Sequence, residues 1–588
     1  MIVPMKKVGV IAQSKDTPAV IEELRRLGVM HIEHQQPPAG GDINRLQDDL
    51  ILARAALDVL ARADTRKKAG AFEQKPLADW RLACRHLIDL EKRLEQLRDY
   101  GLNLQAQIYQ WQPWGDFDPA RIAQLARQGI FVRLFQIPVK RISELPPEAI
   151  VRRVGRAAGM ELCAVISRAR LTLPFNEIPL PKMGLSAMRR RIAQDEHIAQ
   201  GIRKELIQHL CHLESLRQAG RQLGQQLQFQ QALAGAGRQA ALSYIIGYAP
   251  FDAQQLLMQA AQQQRWAISV DDPSEEDAVP TLVRNPRWVS FIEPVFKFID
   301  IVPGYRELDI SLVFLLFFSV FFGMLISDAG VGLVFILATA LVQFKFGKAV
   351  RPKAVFALCY VLSLFAVAWG VLSGTFFGQE WLPARVRPLL PALREDASVQ
   401  SLCFFIGALH LSIGHGWRAL VKAPSVRALA DVGWIALLWA AFFLAQNLVV
   451  GRPLAPAAKP LFIAGSLAIV LFTAPRRNLA AGLAQGAGHY LLNVVNSFTD
   501  VVSYIRLFAV GLASVAIADA FNAMAAGVGM NNAFAAILTG LILLVGHGLN
   551  LLLGPMSVLV HGVRLNVLEF CNHIDIKWNG FAYSPLRN

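Results

Sequence analysis

The sequence predicts an α-helical membrane protein carrying a cytoplasmic α/β plus antiparallel coiled-coil arm, with about eight transmembrane helices, the last two long and tilted. Three observations predict it. Residues up to about Asp309 are rich in Arg, Gln, Asp and Glu, whereas apolar runs dominate from there almost to the end of the 588 residues. The 54% hydrophobic content therefore averages two unlike halves. Leucine seams with alternating steps of three and four recur in the polar half, and basic clusters follow every second apolar segment in the other half.

In the polar half, Val8-Gly9-Val10-Ile11-Ala12 reads as a buried strand, Thr17 to Leu27 as an amphipathic helix stopped by Gly28, and Gly28 to Glu33 as a second strand. One seam follows, through Leu87, Leu90, Leu94, Leu97, Gly101, Leu104, Ile108 and Trp111. A second runs through Leu206, His209, Leu213, Leu216, Gly220, Leu223 and Leu227. A 3.5-residue period keeps one face turned to a partner, so each seam is expected to bury itself against the other. Between them, Ile130 to Phe135 reads as a strand and Pro146-Pro147 as a turn. Leu242 to Pro250 looks like a strand returning to the first lobe.

These readings divide the chain into a cytoplasmic arm over 1–300 and a membrane domain over 301–588. Within the arm, a proximal α/β lobe takes 1–40 and 238–300, the coiled-coil pair about 42–115 and 184–236, and a distal α/β lobe about 116–183.

Composition narrows the function. The stretch from Met1 to Gln13 lacks the apolar core and cleavage site of a secretory signal, so the first half is expected to remain in the cytoplasm. Six cysteines are scattered without a Cys-x-x-Cys pair, which argues against a disulfide framework or a zinc cluster. The charge of +15 sits largely beside apolar helices, where anionic lipid accounts for it, and no nucleic-acid partner is expected. A G-x-x-x-x-G-K-[ST] loop is absent, so nothing cradles a triphosphate. No cofactor, metal site or catalytic residue is expected, and the chain reads as no enzyme.

Apolar segments fall near 310–326, 330–344, 354–373, 400–421, 431–450, 460–474, 490–525 and 533–572. The second ends at Lys345, Lys348, Arg351 and Lys353, the fourth at Arg418, Lys422 and Arg427, the sixth at Arg476 and Arg477. The opposite connections are mixed, as in Arg385, Arg387, Arg394, Glu395 and Asp396. Eight spans with both termini cytoplasmic fit that alternation, with seven spans as the competing count.

Two arginines stand where arginine is expensive. Arg506 lies inside the seventh apolar run, and a guanidinium near the bilayer centre costs at least about 2.5–3.5 kcal/mol on insertion scales. Its charge is permanent, so it cannot carry a proton but can attract or discharge a passing carboxylate. His489, Asn493, Asn496, Asp500 and Ser503 form a polar stripe leading toward it. In the eighth run, His547, Asn550, Gly554, Ser557, His561 and Arg564 recur at steps of three and four on one helix face. Each stripe starts on a different side and neither crosses alone, which suggests two offset half-channels with a moving carrier between them. Hydrogen-bonded helix packing is the alternative reading of the stripes.

Ser503-Tyr504-Ile505-Arg506-Leu507-Phe508-Ala509-Val510-Gly511-Leu512-Ala513 closely resembles the signature of the V/A-type rotary ATPase subunit I family, called subunit a in eukaryotes, in its bacterial and archaeal form. Pro280-Thr281, Asn285-Pro286, Pro303 to Asp309, Phe321 to Met324 with Asp328 and Gly330, Gly374 to Gly378, and Val560 to Leu565 are similar as well, as is the start from Met5 to Ile32. Ser327 and Val331 replace the family's usual Gly and Tyr around Asp328, and Gly554 stands where some relatives place a carboxylate. The resemblance implies a non-catalytic stator subunit coupling proton or sodium translocation to ATP hydrolysis or synthesis. Arg506 would face the rotor carboxylates with Arg564 beside it. Asn496 would belong to the cytoplasmic half-channel, and Ser557 and His561 to the opposite one. The implied partners are a rotor ring of proteolipid subunits, peripheral stalk subunits at the arm, the ATP-hydrolysing subunits indirectly, and lipid, in a prokaryotic plasma membrane. A secondary transporter with a regulatory arm is the alternative.

Overall fold

The computed structural model describes residues 1–63, 72–138, 141, 150–157, 159–169, 173–347, 350, 353–378, 388–475 and 479–587. The expected turn at Pro146-Pro147 lies outside the described residues, as do Lys348, Arg351, Arg385, Arg387, Arg476 and Arg477. The chain divides into two compact units, one of Met1–Gly9, Val29–His31 and Gly247–Pro585, the other of Val10–Gly28, Ile32–Ile246 and Leu586–Asn588.

Strand β1 (Met5–Gln13), helix α1 (Thr17–Leu27) and strand β2 (His31–Glu33) open the chain. Gly28 ends α1 in the left-handed region at φ 65°, its amide donating to the Leu24 carbonyl, a conformation that costs glycine little. Helices α2 (Gly41–Ala63) and α3 (Trp80–Trp111) follow, then α4 (Pro119–Arg127) and strands β3 (Phe131–Pro138), β4 (Ile150–Ala157), β5 (Met160–Ser167) and β6 (Asn176–Ile178). These strands form a sheet in the order β4-β5-β3-β6, with Phe131 opposite Ser167 and Phe135 opposite both Cys163 and Glu177. The chain returns through α5 (Leu185–Gln208) and α6 (Leu213–Gly235), separated by a 3-10 turn at His209–His212. After β7 (Gly237–Gln239), strand β8 spans Leu242–Pro250 as expected, followed by α7 (Gln254–Gln264) and β9 (Ala267–Asp271). A sheet ordered β2-β8-β1-β9, with β7 on β8, collects the remaining strands.

The two leucine seams meet as expected only in part: Leu87 and Leu90 of the first share a core cluster with Leu206, Leu213 and Leu216 of the second. Leu104 and Trp111 bury against Leu185 and Met188, while Leu87 and Leu90 cluster with Ile202, Leu206 and Leu210. Gly220, farther along the second seam, faces Leu57 of α2. The cause is geometric: in an antiparallel hairpin, residues equally far from the tip meet, so α3 pairs with α5 and α6 with α2. At a rise of 1.5 Å per residue, the 32 residues of α3 extend about 48 Å. Arg81 clamps α3 to α2 through two bonds to Asp49, at 2.8 and 2.6 Å, and this holds the Asp49 carboxyl below the usual range. Leu216 is fully buried where these helices meet. Leu216→Ala should therefore lower the stability of this helical region by about 2–5 kcal/mol, measured by urea denaturation of the full chain in detergent micelles.

The second half continues through α8 (Glu293–Phe298), α9 (Ser311–Ile326), α10 (Ala329–Phe346), α11 (Ala354–Ser373), α12 (Asp396–Lys422), α13 (Ala428–Ala445), α14 (Ala458–Phe472), α15 (Leu479–Ser503), α16 (Ile505–Val528), α17 (Ala533–Ser557) and α18 (Cys571–Ile574). Among the described residues, six helical stretches are long and apolar enough to cross a membrane, and α9 and α14 are shorter apolar helices. Together they match the eight expected segments. The expected turn between the first two lies at Ser327-Asp328. Ser327 takes the left-handed region at φ 53°, which explains why a glycine suits that position. Asp328 then accepts the amides of Val331 and Gly378, both at 2.9 Å, joining two pieces of the sequence signature.

Candidate functional site

The seventh apolar run is not one helix. It breaks at Tyr504, between α15 and α16, and the hydrogen bonding shows why. The Leu507 amide donates to the Tyr504 carbonyl at 3.0 Å, one residue short of the α-helical partner. That frees the Ser503 carbonyl, which takes Arg506 Nε at 2.9 Å. Ser503 turns its own hydroxyl onto the Asp500 carbonyl at 2.7 Å. Tyr504 is fully buried, shares a 2.8 Å hydrogen bond with His410 Nδ1, and packs on Gly407, where a β-carbon would lie 2.7 Å from its ring. Arg506 is thus fixed at the first turn after a break rather than in mid-helix.

The last apolar run also departs from a regular helix. Pro555 sits inside α17, and two π-helical stretches follow, Val558–Gly562 and Leu565–Phe570. Proline lacks the amide that an α-helix needs there, and π turns are enriched at functional sites. Arg564 stands between the two stretches and Glu569 within the second. Glu569 joins the two arginines: Arg506 Nη2 donates to its Oε1 at 2.6 Å and Arg564 Nε to the same oxygen at 3.3 Å. The Glu569 side chain is 6% exposed, against 24% for Arg506 and 56% for Arg564. Its Oε2 is buried without a hydrogen-bond partner among the described residues. Two permanent cations share one buried anion, so a net positive charge remains for a second carboxylate.

A polar cavity of about 560 Å³ collects the first stripe, with His489, Asn493, Asn496 and Asp500 lining it. Asp500 Oδ2 lies 3.0 Å from His573 Nε2, His573 Nδ1 lies 2.9 Å from His415 Nε2, and His415 Nδ1 lies 3.4 Å from Asp431 Oδ1. Asp431, 2% exposed, also pairs with Lys422 at 2.5 Å and Arg418 at 3.3 Å. Four titratable side chains therefore form a hydrogen-bonded string along the wall.

The stripe of the eighth apolar run does not line that cavity. Asn550 is buried against α16, donating to the Ser514 carbonyl at 3.0 Å and accepting from its hydroxyl at 2.7 Å. His547 Nε2 lies 3.1 Å from Asn522 Oδ1, also on α16, beside a largely apolar cavity of about 600 Å³. Ser557 and His561 are half-buried, and His561 Nδ1 is buried without a partner among the described residues. A separate cavity of about 200 Å³ approaches the break along the opposite end of α16, past Asp519 to Leu507 and Phe508. Ser327, Thr375, Arg394 and Asp396 line it too.

Sequence reasoning missed Glu569, His573, His415, Asp431 and Asp519. For Glu569, His415, Asp431 and Asp519 the usable signal was an ionisable residue inside an apolar run, which applies to carboxylates and histidines as much as to arginines, whereas His573 follows the last run by one residue.

No protein-family model matches the chain. It is 30% identical over 630 residues to "V-type ATP synthase subunit I 1" of Treponema pallidum, covering all of both chains. It is 28% identical over 610 residues to "V-type ATP synthase subunit I" of Borreliella burgdorferi, covering all of this chain and 99% of that one. Over 362 residues it is 25% identical to "A-type ATP synthase subunit I" of Methanocaldococcus jannaschii, covering 54% of this chain and 51% of that one.

Proposed function

The chain belongs to the V-type and A-type ATP synthase subunit I family, and on that premise we propose that it is the non-catalytic stator through which ions reach and leave a rotor ring. The relatives give the transporter alternative no support. The observation that carries the proposal is the pair Arg506 and Arg564 held by the single buried carboxylate of Glu569. An ion-loaded rotor carboxylate is neutral and crosses lipid at little cost, whereas a bare one does not. On meeting the arginine pair, the carboxylate form is favoured and the ion is released.

Two water paths serve the exchange. The cytoplasmic half-channel is the cavity lined by Asn493, Asn496 and Asp500, extended by His573, His415 and Asp431. The opposite half-channel is the cavity along Asp519, Asp396 and Thr375, with Ser557 and His561 near the arginines and His547 and Asn550 supporting α16. The two paths end on either side of the break at Tyr504, which keeps them apart. Both termini face the cytoplasm of a prokaryotic cell, and the arm over 1–300 docks peripheral stalks, leaving ATP hydrolysis to other subunits.

Asp500→Ala in the complete complex tests the cytoplasmic path. ATP-driven ion uptake into vesicles should fall by about a hundredfold or more while the proteolipid ring still co-purifies, since a lost acid–base group costs about two decades or more in proton transfer. Uptake at the unaltered rate would remove this cavity from the path.

A further inference from the structure

The arm carries a cluster that the translocation site does not use. His86 on α3, Glu205 on α5 and His209 at the 3-10 turn bring one ligand atom each to within 4.8 Å of one another. Glu205 and His209 are four residues apart and share a helix face, while His86 approaches from the neighbouring helix. His86 Nε2 already lies 2.9 Å from Glu205 Oε1, and the two imidazoles meet edge to face with centroids 5.5 Å apart. His86 and Glu205 keep 47% and 43% of their side-chain surface exposed, so the cluster is open to solutes and its side chains have room to move. His209 is half-buried, which fixes one corner.

We propose that His86, Glu205 and His209 form a binding site for a first-row divalent cation of the zinc type, with water in the fourth position. Two imidazoles and one carboxylate are a donor set suited to Zn²⁺, whereas Ca²⁺ and Mg²⁺ call for six or more oxygens or retained waters. Ligand atoms around tetrahedral zinc lie roughly 3.3 Å apart, so closure from the observed spacing takes modest side-chain rotations. The cysteine spacing that argues against a zinc cluster does not bear on histidine and carboxylate donors. His212, its ring centroid 6.0 Å from that of His209, has its Nδ1 3.2 Å from the Lys75 carbonyl and stays outside the ligand set.

The site's position gives it a consequence. It joins α3 to the 3-10 turn at which α5 gives way to α6, the irregular point of that limb. A bound cation would cross-link the two limbs there and stiffen the helical pair.

The test uses the full chain in detergent micelles, stripped with chelator and titrated with Zn²⁺ alone by calorimetry and with Co²⁺ by visible absorption. Binding of a single equivalent at low-micromolar affinity or tighter is expected, with the intense absorption of a four-coordinate cobalt site. His86→Gln and Glu205→Gln keep polar side chains at exposed positions and should each weaken that binding by about tenfold or more. His209→Ala should do the same, with folding checked by far-ultraviolet circular dichroism. Zn²⁺ binding weaker than about 100 µM in the unaltered chain, or equal affinity in His86→Gln and Glu205→Gln, would overturn the proposal and leave a surface hydrogen bond between His86 and Glu205.

Discussion

Arg506→Ala is expected to abolish ATP-driven ion uptake by vesicles containing the complete assembly, while the ring and the ATP-hydrolysing subunits still co-purify. The reason lies in charge rather than fold. Removing Arg506 leaves Glu569 with Arg564 alone, at 3.3 Å, and the cluster changes from net positive to neutral. A neutral cluster gives an arriving rotor carboxylate no reason to shed its ion. Arg506→Lys should restore little, because an ammonium is a compact point charge that cannot serve the Ser503 carbonyl and Glu569 as a planar guanidinium does. ATP hydrolysis should persist, uncoupled from uptake. Unchanged uptake in Arg506→Ala would reduce the arginine to a structural ion pair.

Glu569→Ala should lower the stability of the membrane half substantially. Breaking a buried ion pair by removing one partner costs about 3–5 kcal/mol, because the remaining charge stays desolvated. Arg506 retains 24% of its side-chain surface, and this partial solvation places the expected loss near the lower end, about 3 kcal/mol. Thermal unfolding of the purified chain in detergent micelles would read it, with Glu569→Gln intermediate because an amide oxygen still accepts from Arg506. A melting temperature unchanged in Glu569→Ala would mean that solvent already screens both arginines.

The two halves of the chain were legible in the sequence for different reasons. Apolar length and turn chemistry marked the spans, down to the capping Asp328, because lipid leaves backbone groups few alternatives to helices. Arg506 and Arg564 stood out because each is costly where it lies. What pairs with them was hidden: Glu569 belongs to the same apolar run as Arg564, but a period of 3.6 residues does not put the two on one face. The π turns do that, and nothing in the residue pattern except Pro555 announces them. The stripe from His547 to Arg564 is straighter in the residue pattern than in the structure, for two separate reasons. His547 and Asn550 turn to α16, and the regular face ends near Ser557. The seam pairing in the arm holds at Leu87 and Leu90 and departs at Leu104 and Trp111, for a different reason. Periodicity identifies a face but not its partner, and Leu216 finds its surroundings through distance from the hairpin tip.

The two π stretches around Arg564 also bear on how such a helix can change over generations. Relative to α-helix, a π turn is an inserted residue absorbed as a local bulge, and one extra residue otherwise rotates everything beyond it by about 100°. A lineage that gains or loses a residue here can thus re-aim Arg564 and Glu569 while Asn550, upstream, keeps its seat on Ser514 and Ile574, downstream, keeps its place in the core. Residue-by-residue alignment of relatives through Val558–Phe570 should therefore show single-residue gaps that leave both flanks in register.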